Sequence, residues 1–399
     1  MDPKALRDLL EKGVSRVIDR KSLEQKLASG KPLRIKFGVD PTGANLHIGH
    51  AVPMLKLREF QKLGHHIILL IGDATAQVGD TSDKDAERPM LQREQTRKNA
   101  EGFLNQFSKL LDPTKVEIYY NSDGLDKINF CGVGELAKHF SVAEMLDRDN
   151  FSKRYKAGMR ISLQEFLYPL MQGYDSVALK ADLELGGNDQ YFNLLAGRTL
   201  QEAFGQPKQD IMTFDLLLGA DGKKMSKTST NHVPLASSPE EKFVKAMEVR
   251  DELIGQWYRL VTTRSLDEIA AQEKRLTAGE HPRAVKLDLA SAVVEAFHGA
   301  DAAAKARKYF EEVVAGGARP DDSQIQTFER PAGEVPLVTL LREAGLVGNS
   351  TEARNALQNG GTLVNGTEIH DVKFAVKLEA GKKVLVQVGK KKFRNVVGK

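Results

Sequence analysis

The stretch FGVDPTGANLHIGHAVP, residues 37–53, joins a predicted strand to a predicted helix and decides the interpretation of the fold. RIKFGV, residues 34–39, is predicted to be a strand, and MLKLREFQKL, 54–63, carries apolar residues at helical spacing. Gly64 is expected to end that helix before HIILLI, 66–71, a buried strand. A strand, a crossover helix and a second strand at this spacing indicate a βαβ unit, and hence an α/β fold with a parallel sheet.

Two later segments extend this sheet. VEIYYNS, residues 116–122, is a plausible further strand, and an extended run meets glycines and polar groups in LELGGNDQ, 183–190. Ligands of parallel sheets bind beyond the carboxyl ends of the strands, where these turns rich in Gly and Asp fall. We therefore predict that residues 1–233 form one α/β domain with its ligand site at this edge of the sheet.

The remainder of the chain has a different character. Residues 234–320 are rich in helical patterns and begin with Ser238 before Pro239, a helix-start signal. A linker rich in Pro, Gly, Asp and Ser is predicted over 321–334. Residues 335–399 carry a helix pattern, an Asn-Gly turn signal and a strand pattern, so they are predicted to form a small α+β module.

Composition limits the classes of protein that are possible. The 399 residues are 41% hydrophobic and 28% charged, an ordinary globular mixture for two or three domains. The longest aliphatic run, Ile67 to Ile71, is far shorter than a membrane span, and the first residues lack the pattern of a secretory signal. One cysteine, Cys131, excludes an internal disulfide and a multi-cysteine zinc site. We expect a cytoplasmic protein.

Charge is distributed unevenly along the chain. Residues 335–399 hold 11 Lys and Arg against 5 Asp and Glu, whereas the preceding part is nearly neutral. This excess suggests an anionic partner for the module, and a solvated lysine-rich terminus is the alternative.

The segment HIGH, residues 47–50, has the features of an anion site. Pro53 lacks an amide hydrogen and is suited to the first turn of a helix, which places His47 and His50 at the helix N-terminus. Backbone N–H groups and the helix dipole favour a bound phosphate there, and Gly49 leaves room for a flat base. Half of a metal site and incidental surface histidines are the alternatives.

A second cluster, DGKKMSKTSTN at 221–231, places Lys223, Lys224 and Lys227 around small hydroxyl groups. Lysine ammonium groups beside a small hydroxyl group can bind a polyphosphate. They stabilise the negative charge that grows on it during a displacement reaction. Taken alone, such a run is more often a lysine-rich surface loop.

Together these motifs resemble the HIGH and KMSKS signatures of class I aminoacyl-tRNA synthetases, with Thr228 in the final place of the second. The resemblance narrows to the bacterial tyrosyl-tRNA synthetases and covers nearly the whole chain, through GVDPTGANLHIGH, LIGDATAQVGD, EFLYPLMQGYDSVALKADLELGG and NDQYFNLLAGR. It implies a Rossmann-like catalytic domain, an α-helical domain that reads the anticodon region, and a C-terminal RNA-binding module like a ribosomal small-subunit protein.

The resemblance also implies roles for individual residues. The side chains that would stabilise the phosphates during catalysis are His47, His50, Thr42, Lys224, Lys227, Lys84 and Arg88. Asp80, Tyr168 and Gln172 match ligands of the substrate ammonium group, and Asp175 matches the acceptor of the tyrosine hydroxyl. Further substrate and ATP contacts would come from Asp40, Gly49, Gly187, Asp189, Gln190, Met225 and Ser226.

Some positions depart from the family pattern. Lys36 stands where many members carry a tyrosine that touches the substrate hydroxyl, so it is assigned to the substrate site. One bacterial branch of the family resembles this sequence at that position, and we interpret the lysine as a feature of that branch. Asn188 replaces the usual Ser or Thr, and Thr81 and Asp83 replace the commoner Pro and Gly.

The implied partners are tyrosine, ATP that carries Mg²⁺, and a tyrosine-accepting tRNA, with no protein ligand assigned to the metal. A homodimer is implied through an insertion around 120–160, including 141–158, which could equally be an ordinary surface helix and turn.

Three other functions remain open at this level. A tryptophanyl-tRNA synthetase shares both signatures, although Asp175 and the C-terminal module favour tyrosine. A nucleotidyltransferase for a small metabolite would not need the helical domain and basic tail. A catalytically inactive, RNA-binding homologue is disfavoured by the intact histidine and lysine pairs.

Overall fold

The computed structural model describes residues 2–41, 46–80, 91–225, 231–316, 325–389 and 392–399. These residues divide into two compact units, Met1–Gly299 and Ala300–Lys399. Among the described helices, none has the length and apolar character that a membrane crossing requires.

The first unit is built on a central sheet. Its strands are β1 (Val14–Ile18), β2 (Arg34–Val39), β3 (His66–Ile71), β4 (Val116–Tyr120), β5 (Leu183–Gly187) and β6 (Asp210–Phe214). Its helices are α1 (Pro3–Glu11), α2 (Arg20–Ala28), α3 (Ala51–Lys62), α4 (Thr75–Val78), α5 (Arg93–Phe107), α6 (Ser122–Leu125), α7 (Phe130–Ala137), α8 (Val142–Leu146), α9 (Asp149–Lys156), α10 (Leu163–Leu179), α11 (Tyr191–Ala203), α12 (Pro239–Met247), α13 (Ile254–Val261), α14 (Leu266–Thr277) and α15 (Pro282–His298).

The sheet has the order β1-β6-β5-β2-β3-β4, in which only the edge strand β1 runs antiparallel to its neighbour among the described strands. The predicted strands at 34–39 and 66–71 are confirmed as β2 and β3, with the helix α3 between them. The chain leaves β2 toward β3 on one side, and β5 joins β2 on the other side. This reversal is the topological switch point at which sheets of this kind bind ligands.

Side-chain alternation gives β2 two buried faces. Phe37 packs toward α5, with 6.2 Å between its ring centroid and that of Phe107. Lys36 points to the opposite face, where its ammonium reaches Ser176 on α10. HIILLI is confirmed as a buried strand, whereas β2 buries a charged side chain on one face, which therefore needs polar partners there.

The helical pattern after residue 234 is confirmed by α12 to α15. Ser238 and Glu241 form the expected capping box at the start of α12. Trp257 and Tyr258 of α13 are almost fully buried. These helices belong to the same compact unit as the sheet, because the first unit runs to Gly299. The predicted boundary at residue 233 is therefore a division inside one packed unit.

The second unit is mainly a small strand-rich fold. Its elements are α16 (Ala300–Tyr309), a π-helical turn (Phe310–Ala315), β7 (Thr327–Arg330), β8 (Gly333–Pro336), α17 (Leu337–Glu343), α18 (Ser350–Gln358), β9 (Thr362–Val364), β10 (Thr367–Glu368), β11 (Ala375–Leu378), β12 (Lys383–Val388) and β13 (Lys392–Gly398). One sheet has the order β10-β9-β12-β13-β7, and β11 pairs with β8. The predicted Asn-Gly turn between β9 and β10 is present, with φ 50° at Asn365 and φ 83° at Gly366.

The structure corrects the predicted linker at 321–334. Its described part contains β7, which pairs in parallel with β13, and the start of β8. Local composition suggested a connection because Pro and Gly are frequent there. The long-range pairing with the end of the chain supplies the backbone hydrogen bonds that a linker would lack.

The segment from α9 to α10 is held by a buried ion pair. The Arg154 guanidinium donates to both carboxylate oxygens of Glu165 at 2.5 and 3.0 Å, and the two side chains are only 2% and 5% exposed. Glu165 also accepts from the backbone N–H of Ser162 at 2.9 Å, which caps α10. One carboxylate thus neutralises a buried cation and satisfies a helix terminus.

Glu165→Ala is expected to lower the free energy of unfolding by about 3–5 kcal/mol, because it leaves the Arg154 charge buried without this partner. Glu135→Ala is the matched control, since Glu135 pairs with Lys138 at the exposed surface, where an ion pair contributes little to stability. Urea denaturation of both variants checks the difference. Equal losses in the two variants would contradict the structural role given to Glu165.

Candidate active site

The predicted phosphate-binding histidines lie in a tight turn at the start of α3. A 3₁₀ turn, Ile48–His50, leads directly into the helix. The backbone N–H of His47 donates to Nδ1 of His50 at 3.2 Å, and the two ring centroids are 3.9 Å apart. A neutral imidazole that accepts at Nδ1 carries its hydrogen on Nε2, so His50 can donate from that atom.

Gly49 permits this arrangement because its missing side chain makes room for His47. A Cβ at residue 49 would lie 3.0 Å from both Cε1 and Nδ1 of the His47 ring. The neighbouring ring would have to shift to admit it, so the glycine fixes the relative position of the two histidines.

The segment after the lysine cluster lies against this turn. The N–H of Ile48 donates to the carbonyl of Val233 at 2.9 Å, and the N–H of Leu235 donates to the carbonyl of Leu46 at 2.8 Å. The polypeptide that follows the lysine cluster is thereby hydrogen-bonded to the histidine turn.

The base of the lysine loop is also fixed. The Asn231 amide donates to Asp221 at 2.9 Å and to the carbonyl of Lys224 at 3.3 Å. Met225 is buried, whereas Lys224 is exposed. The loop therefore begins and ends on anchored residues close to the histidine turn.

A cavity of about 190 Å³ opens between the carboxyl ends of β2 and β5, at the switch point of the sheet. Its lining brings together most of the predicted substrate ligands, namely Asp40, Asp80, Tyr168, Gln172, Asp175, Gly187 and Gln190. Tyr168, Gln172 and Asp175 share one face of α10, because residues four and seven apart lie on the same side of a helix. Asp189 lies beside Gln190 in the turn that follows β5, and its carboxylate is 3.2 Å from the Gln190 amide.

At the mouth of this cavity, both oxygens of Asp40 accept hydrogen bonds. The Thr75 hydroxyl donates to one oxygen at 2.8 Å and the Tyr168 hydroxyl donates to the other at 2.9 Å. A Cβ at Gly72 would stand 1.9 Å from Asp40 Oδ1, so only glycine permits the approach. Burial, together with the charges of Asp40 and Asp80, raises the pKa of Tyr168 well above its usual value, which keeps the hydroxyl a donor.

A second carboxylate, Asp80, lies on the cavity wall and is 9% exposed. The side-chain amide of Gln190 donates to Asp80 at 2.6 Å, and the side-chain amide of Asn193 donates to Oε1 of Gln190 at 3.0 Å. This chain of hydrogen bonds orients Asp80 from α11. Asp80, Tyr168 and Gln172, the predicted ligands of an ammonium group, thus line one cavity.

Asp175 differs from the other carboxylates because it is almost completely buried, with 1% exposure. One oxygen accepts from the Asn121 amide at 3.2 Å, and the other has no hydrogen-bond partner among the described residues. Burial raises the pKa of Asp175 to about 8, while the charge of Lys36 and the Asn121 hydrogen bond oppose the rise. Asp175, which lines the cavity, thus carries a carboxyl oxygen that has no hydrogen-bond partner in the part of the chain that the structure describes.

Lys36 lies behind the cavity and does not line it. It is fully buried, and its ammonium donates to Ser176, to the Gln172 carbonyl and to Glu184 at 2.7–3.1 Å. Direct contact with a ligand would require the loss of a protein partner. The resemblance assigns Lys36 to the substrate site. In the structure its side chain lies beneath that site and does not line it.

Sequence reasoning missed several residues that shape the cavity. Thr75 and Asn121 follow β3 and β4, and Glu184 lies within β5. Their positions after parallel strands were a usable signal for Thr75 and Asn121, whereas nothing local marks a glutamate inside an apolar strand. Asn188, a departure from the family pattern, donates to Ser15 and Asp215 at 2.9 Å and so links β1 to the strand ends.

Some predicted residues lie outside the described part of the chain and keep their status as predictions. They are Thr42, Lys84, Arg88, Ser226 and Lys227.

Comparisons with known proteins were made over the whole chain. The family described as tRNA synthetases class I (W and Y) matches residues 28–315, and the tyrosine–tRNA ligase SYY-like C-terminal domain matches 321–396. A tyrosine–tRNA ligase of Ralstonia nicotianae is 45% identical over 98% of this chain and 99% of its own length. One of Haemophilus influenzae is 45% identical over 97% of this chain and 95% of its own length.

Solved structures show the same fold. A C-terminally truncated mitochondrial tyrosyl-tRNA synthetase of Aspergillus nidulans gives a TM-score of 0.63 at 22% identity, and covers 77% of this chain and 93% of its own. An Archaeoglobus fulgidus tyrosyl-tRNA synthetase complexed with L-tyrosine gives 0.59 at 20% identity, and covers 76% of this chain and 99% of its own.

Proposed function

This chain belongs to the tyrosine–tRNA ligases within the class I tRNA synthetases, and from that membership we propose how its residues divide the work of the reaction. The enzyme activates tyrosine with ATP to tyrosyl-adenylate and pyrophosphate, and then transfers tyrosine to the terminal ribose of tRNA. The cavity between β2 and β5 binds the amino acid, and the turn at His47–His50 binds the phosphates.

The unpartnered oxygen of Asp175 supports tyrosine as the amino acid most directly. The phenolic hydroxyl donates one hydrogen, and a buried carboxyl oxygen is its natural acceptor. Phenylalanine offers no hydrogen there and would leave a desolvated polar atom unsatisfied. Asp80, Tyr168 and Gln172, which also line the cavity, suit the substrate ammonium group.

Adenylate formation needs no covalent enzyme intermediate. A carboxylate oxygen of tyrosine forms a bond to the α-phosphorus, and the bond from that phosphorus to the bridging oxygen of pyrophosphate breaks. Negative charge moves to the phosphate oxygens, toward which His50 Nε2 donates. Lys224 and Lys227 neutralise the departing pyrophosphate, with Thr42, Lys84 and Arg88 as further groups. ATP enters as its magnesium complex.

The second step requires a site for RNA. The excess of basic residues within 335–399 supports contact between this module and the tRNA backbone. The helices α12 to α15 are proposed to contact the anticodon region. We place the enzyme in the cytoplasm because tRNA charging serves translation.

Exchange of pyrophosphate into ATP with each of the twenty amino acids tests the first step, and charging of bulk tRNA tests the second. We expect exchange and charging with tyrosine alone. Exchange with tryptophan instead would overturn the pocket assignment, and no exchange with any amino acid would overturn the catalytic function. Exchange without charging would overturn the role given to the RNA-binding parts.

A homodimer is proposed on the exposed apolar face formed by α7, α9 and α10. Phe130 is 93% exposed, Leu163 81% and Tyr155 65%. Beside them lies an apolar cavity of about 140 Å³, lined by residues that include Leu136, Leu167 and Leu170. Large exposed apolar patches mark association surfaces. A second copy of this face would cover these side chains.

Leu163→Asp is expected to convert a dimer to a monomer at micromolar concentration, because two carboxylates would face the apolar interface. The fold should tolerate the change, since Leu163 is exposed in the first turn of α10, where a negative charge suits the helix dipole. Sedimentation velocity measures the result. Leu63→Lys, at an exposed leucine outside this face, is the control that should remain dimeric. A monomeric unmodified protein would contradict the proposal.

A further inference from the structure

A buried ion pair lies directly beneath the tyrosine cavity. Lys36 of β2 and Glu184 of β5 are register partners in adjacent parallel strands, so their side chains project from the same face of the sheet. The Lys36 ammonium lies 2.9 Å from Glu184 Oε1, and the two side chains are 0% and 1% exposed.

Every donor of this ammonium has a protein acceptor. Lys36 donates to the Ser176 hydroxyl at 2.7 Å and to the Gln172 carbonyl at 3.1 Å, in addition to Glu184. Glu184 in turn accepts from the Gln172 amide at 3.1 Å and from the Gln209 amide at 2.5 Å. The positive charge is therefore fixed in place, beside the residue that follows Asp175 on α10.

Charged and titratable groups face Asp175 from several elements. Lys36 and Asp40 come from β2 and its end, Glu184 comes from β5, Tyr168 comes from α10 and Tyr119 comes from β4. Lys36 favours the ionised form of Asp175, whereas Glu184 and Asp40 oppose it, and the effect of Lys36 exceeds that of either acid. The Asn121 amide also favours the ionised form through its hydrogen bond.

A buried ion pair is a poor way to stabilise a fold. Two charges removed from water lose solvation that their mutual attraction barely repays, and packed apolar side chains of similar volume are often equally stable or better. The fold alone therefore gives little reason for lysine at position 36. The effect of Lys36 on Asp175, the neighbouring carboxyl group of the proposed tyrosine site, supplies a reason.

We propose that Lys36 is a specificity-determining positioning residue, whose buried ammonium stabilises the carboxylate form of Asp175 that accepts the hydroxyl hydrogen of tyrosine. The inference rests on the proposed tyrosine site and adds a residue that acts on the substrate only through Asp175. The carboxylate accepts the hydroxyl hydrogen in a charge-assisted hydrogen bond, which is stronger than a bond between neutral groups.

Inhibition of pyrophosphate exchange by tyrosinol and by phenylalaninol, measured across a pH series, tests this role. The ratio of the two inhibition constants cancels titrations that the ligands share and reports the hydroxyl contact. In the unmodified enzyme, the preference for tyrosinol should strengthen as pH rises through about 8, where Asp175 loses its proton.

Two variants should move this profile in opposite directions. Lys36→Met removes the favourable charge, so the profile should move to higher pH, and the preference at neutral pH should fall by up to about tenfold when the midpoint rises by about one pH unit. Glu184→Gln removes an opposing charge, so the profile should move to lower pH. A general loosening of the pocket would weaken the preference in both variants without this opposition.

If Lys36→Met alone fails to fold, the double variant Lys36→Met/Glu184→Met removes both charges and avoids a buried unpaired glutamate. The midpoint of its profile should still lie at higher pH than that of the unmodified enzyme, because the effect of Lys36 on Asp175 exceeds that of Glu184. An unchanged profile in a folded Lys36 variant, or equal displacements in one direction for both single variants, overturns the inference. Failure of the unmodified enzyme to activate tyrosine would instead overturn the proposed function.

Discussion

His50→Ala is expected to lower the rate constant of tyrosyl-adenylate formation by about a hundredfold or more, with little change in the affinity for tyrosine. The reason is the geometry of the turn before α3. His50 accepts the His47 N–H at Nδ1, which places its own hydrogen on Nε2 and fixes the ring beside the proposed phosphate site. A donor aimed at charge that develops in the transition state affects the rate more than it affects ground-state binding. Rapid-quench measurement of adenylate formation separates the two quantities.

Two further substitutions distinguish the atoms of this imidazole. His50→Gln can place an amide donor near the position of Nε2 and should retain more activity than alanine. His50→Asn can restore an acceptor for the His47 N–H but no donor at the Nε2 position, so it should stay close to alanine. His66→Ala is the control, because His66 pairs with Glu117 at the start of β3, the end of the strand away from the cavity. Equal rates for the Ala and unmodified enzymes would remove His50 from the catalytic machinery.

Above pH 8, where Asp175 is ionised, Asp175→Asn is expected to reduce kcat/KM for tyrosine by about tenfold to a hundredfold, the cost of losing a hydrogen bond to a charged acceptor. The substitution preserves volume, so the Asn121 contact and the cavity shape should survive. Phenylalanine makes no use of the carboxylate, and its weak activation should change little. The preference for tyrosine over phenylalanine should therefore fall, which steady-state exchange with both amino acids measures.

The pH dependence supplies an independent check on Asp175. Burial raises its pKa to about 8, so the tyrosine preference of the unmodified enzyme should rise with pH through that value. The Asn variant cannot titrate and should show a flat preference. Asp123→Asn, at an exposed carboxylate on α6, should retain the pH dependence. A titrating preference in the Asp175 variant would show that another group responds to the hydroxyl.

Local patterns predicted the elements that carry the site. β2, α3 and β3 follow from an apolar run, a helical period and a second apolar run, each of which can be recognised within about ten residues. The Asn365–Gly366 turn follows from backbone conformations that few other residue pairs adopt easily. The linker prediction was wrong for β7 because the hydrogen bonds that define this strand come from β13, far away in the sequence.

The same contrast applies to the site. The family resemblance names Tyr168, Gln172 and Asp175, and the structure places all three on one face of α10 and in one cavity. The family resemblance led to Lys36, but its local sequence could not show whether its ammonium faces a ligand or a buried acid. The register between β2 and β5 decides this, because it brings Glu184 beside Lys36.

The sequence by itself determined the strand and helix periods, the glycines that close approaches require, and the family whose motifs the chain carries, because each depends on residue type and short spacing. Only the tertiary structure decided which buried charges meet, that the histidine turn is joined to the segment after the lysine cluster, and that one Asp175 oxygen is left for a ligand. The physical reason is that hydrogen bonds and Coulomb interactions act between atoms that are close in space, and chain folding brings together residues whose sequence positions hold no record of that proximity.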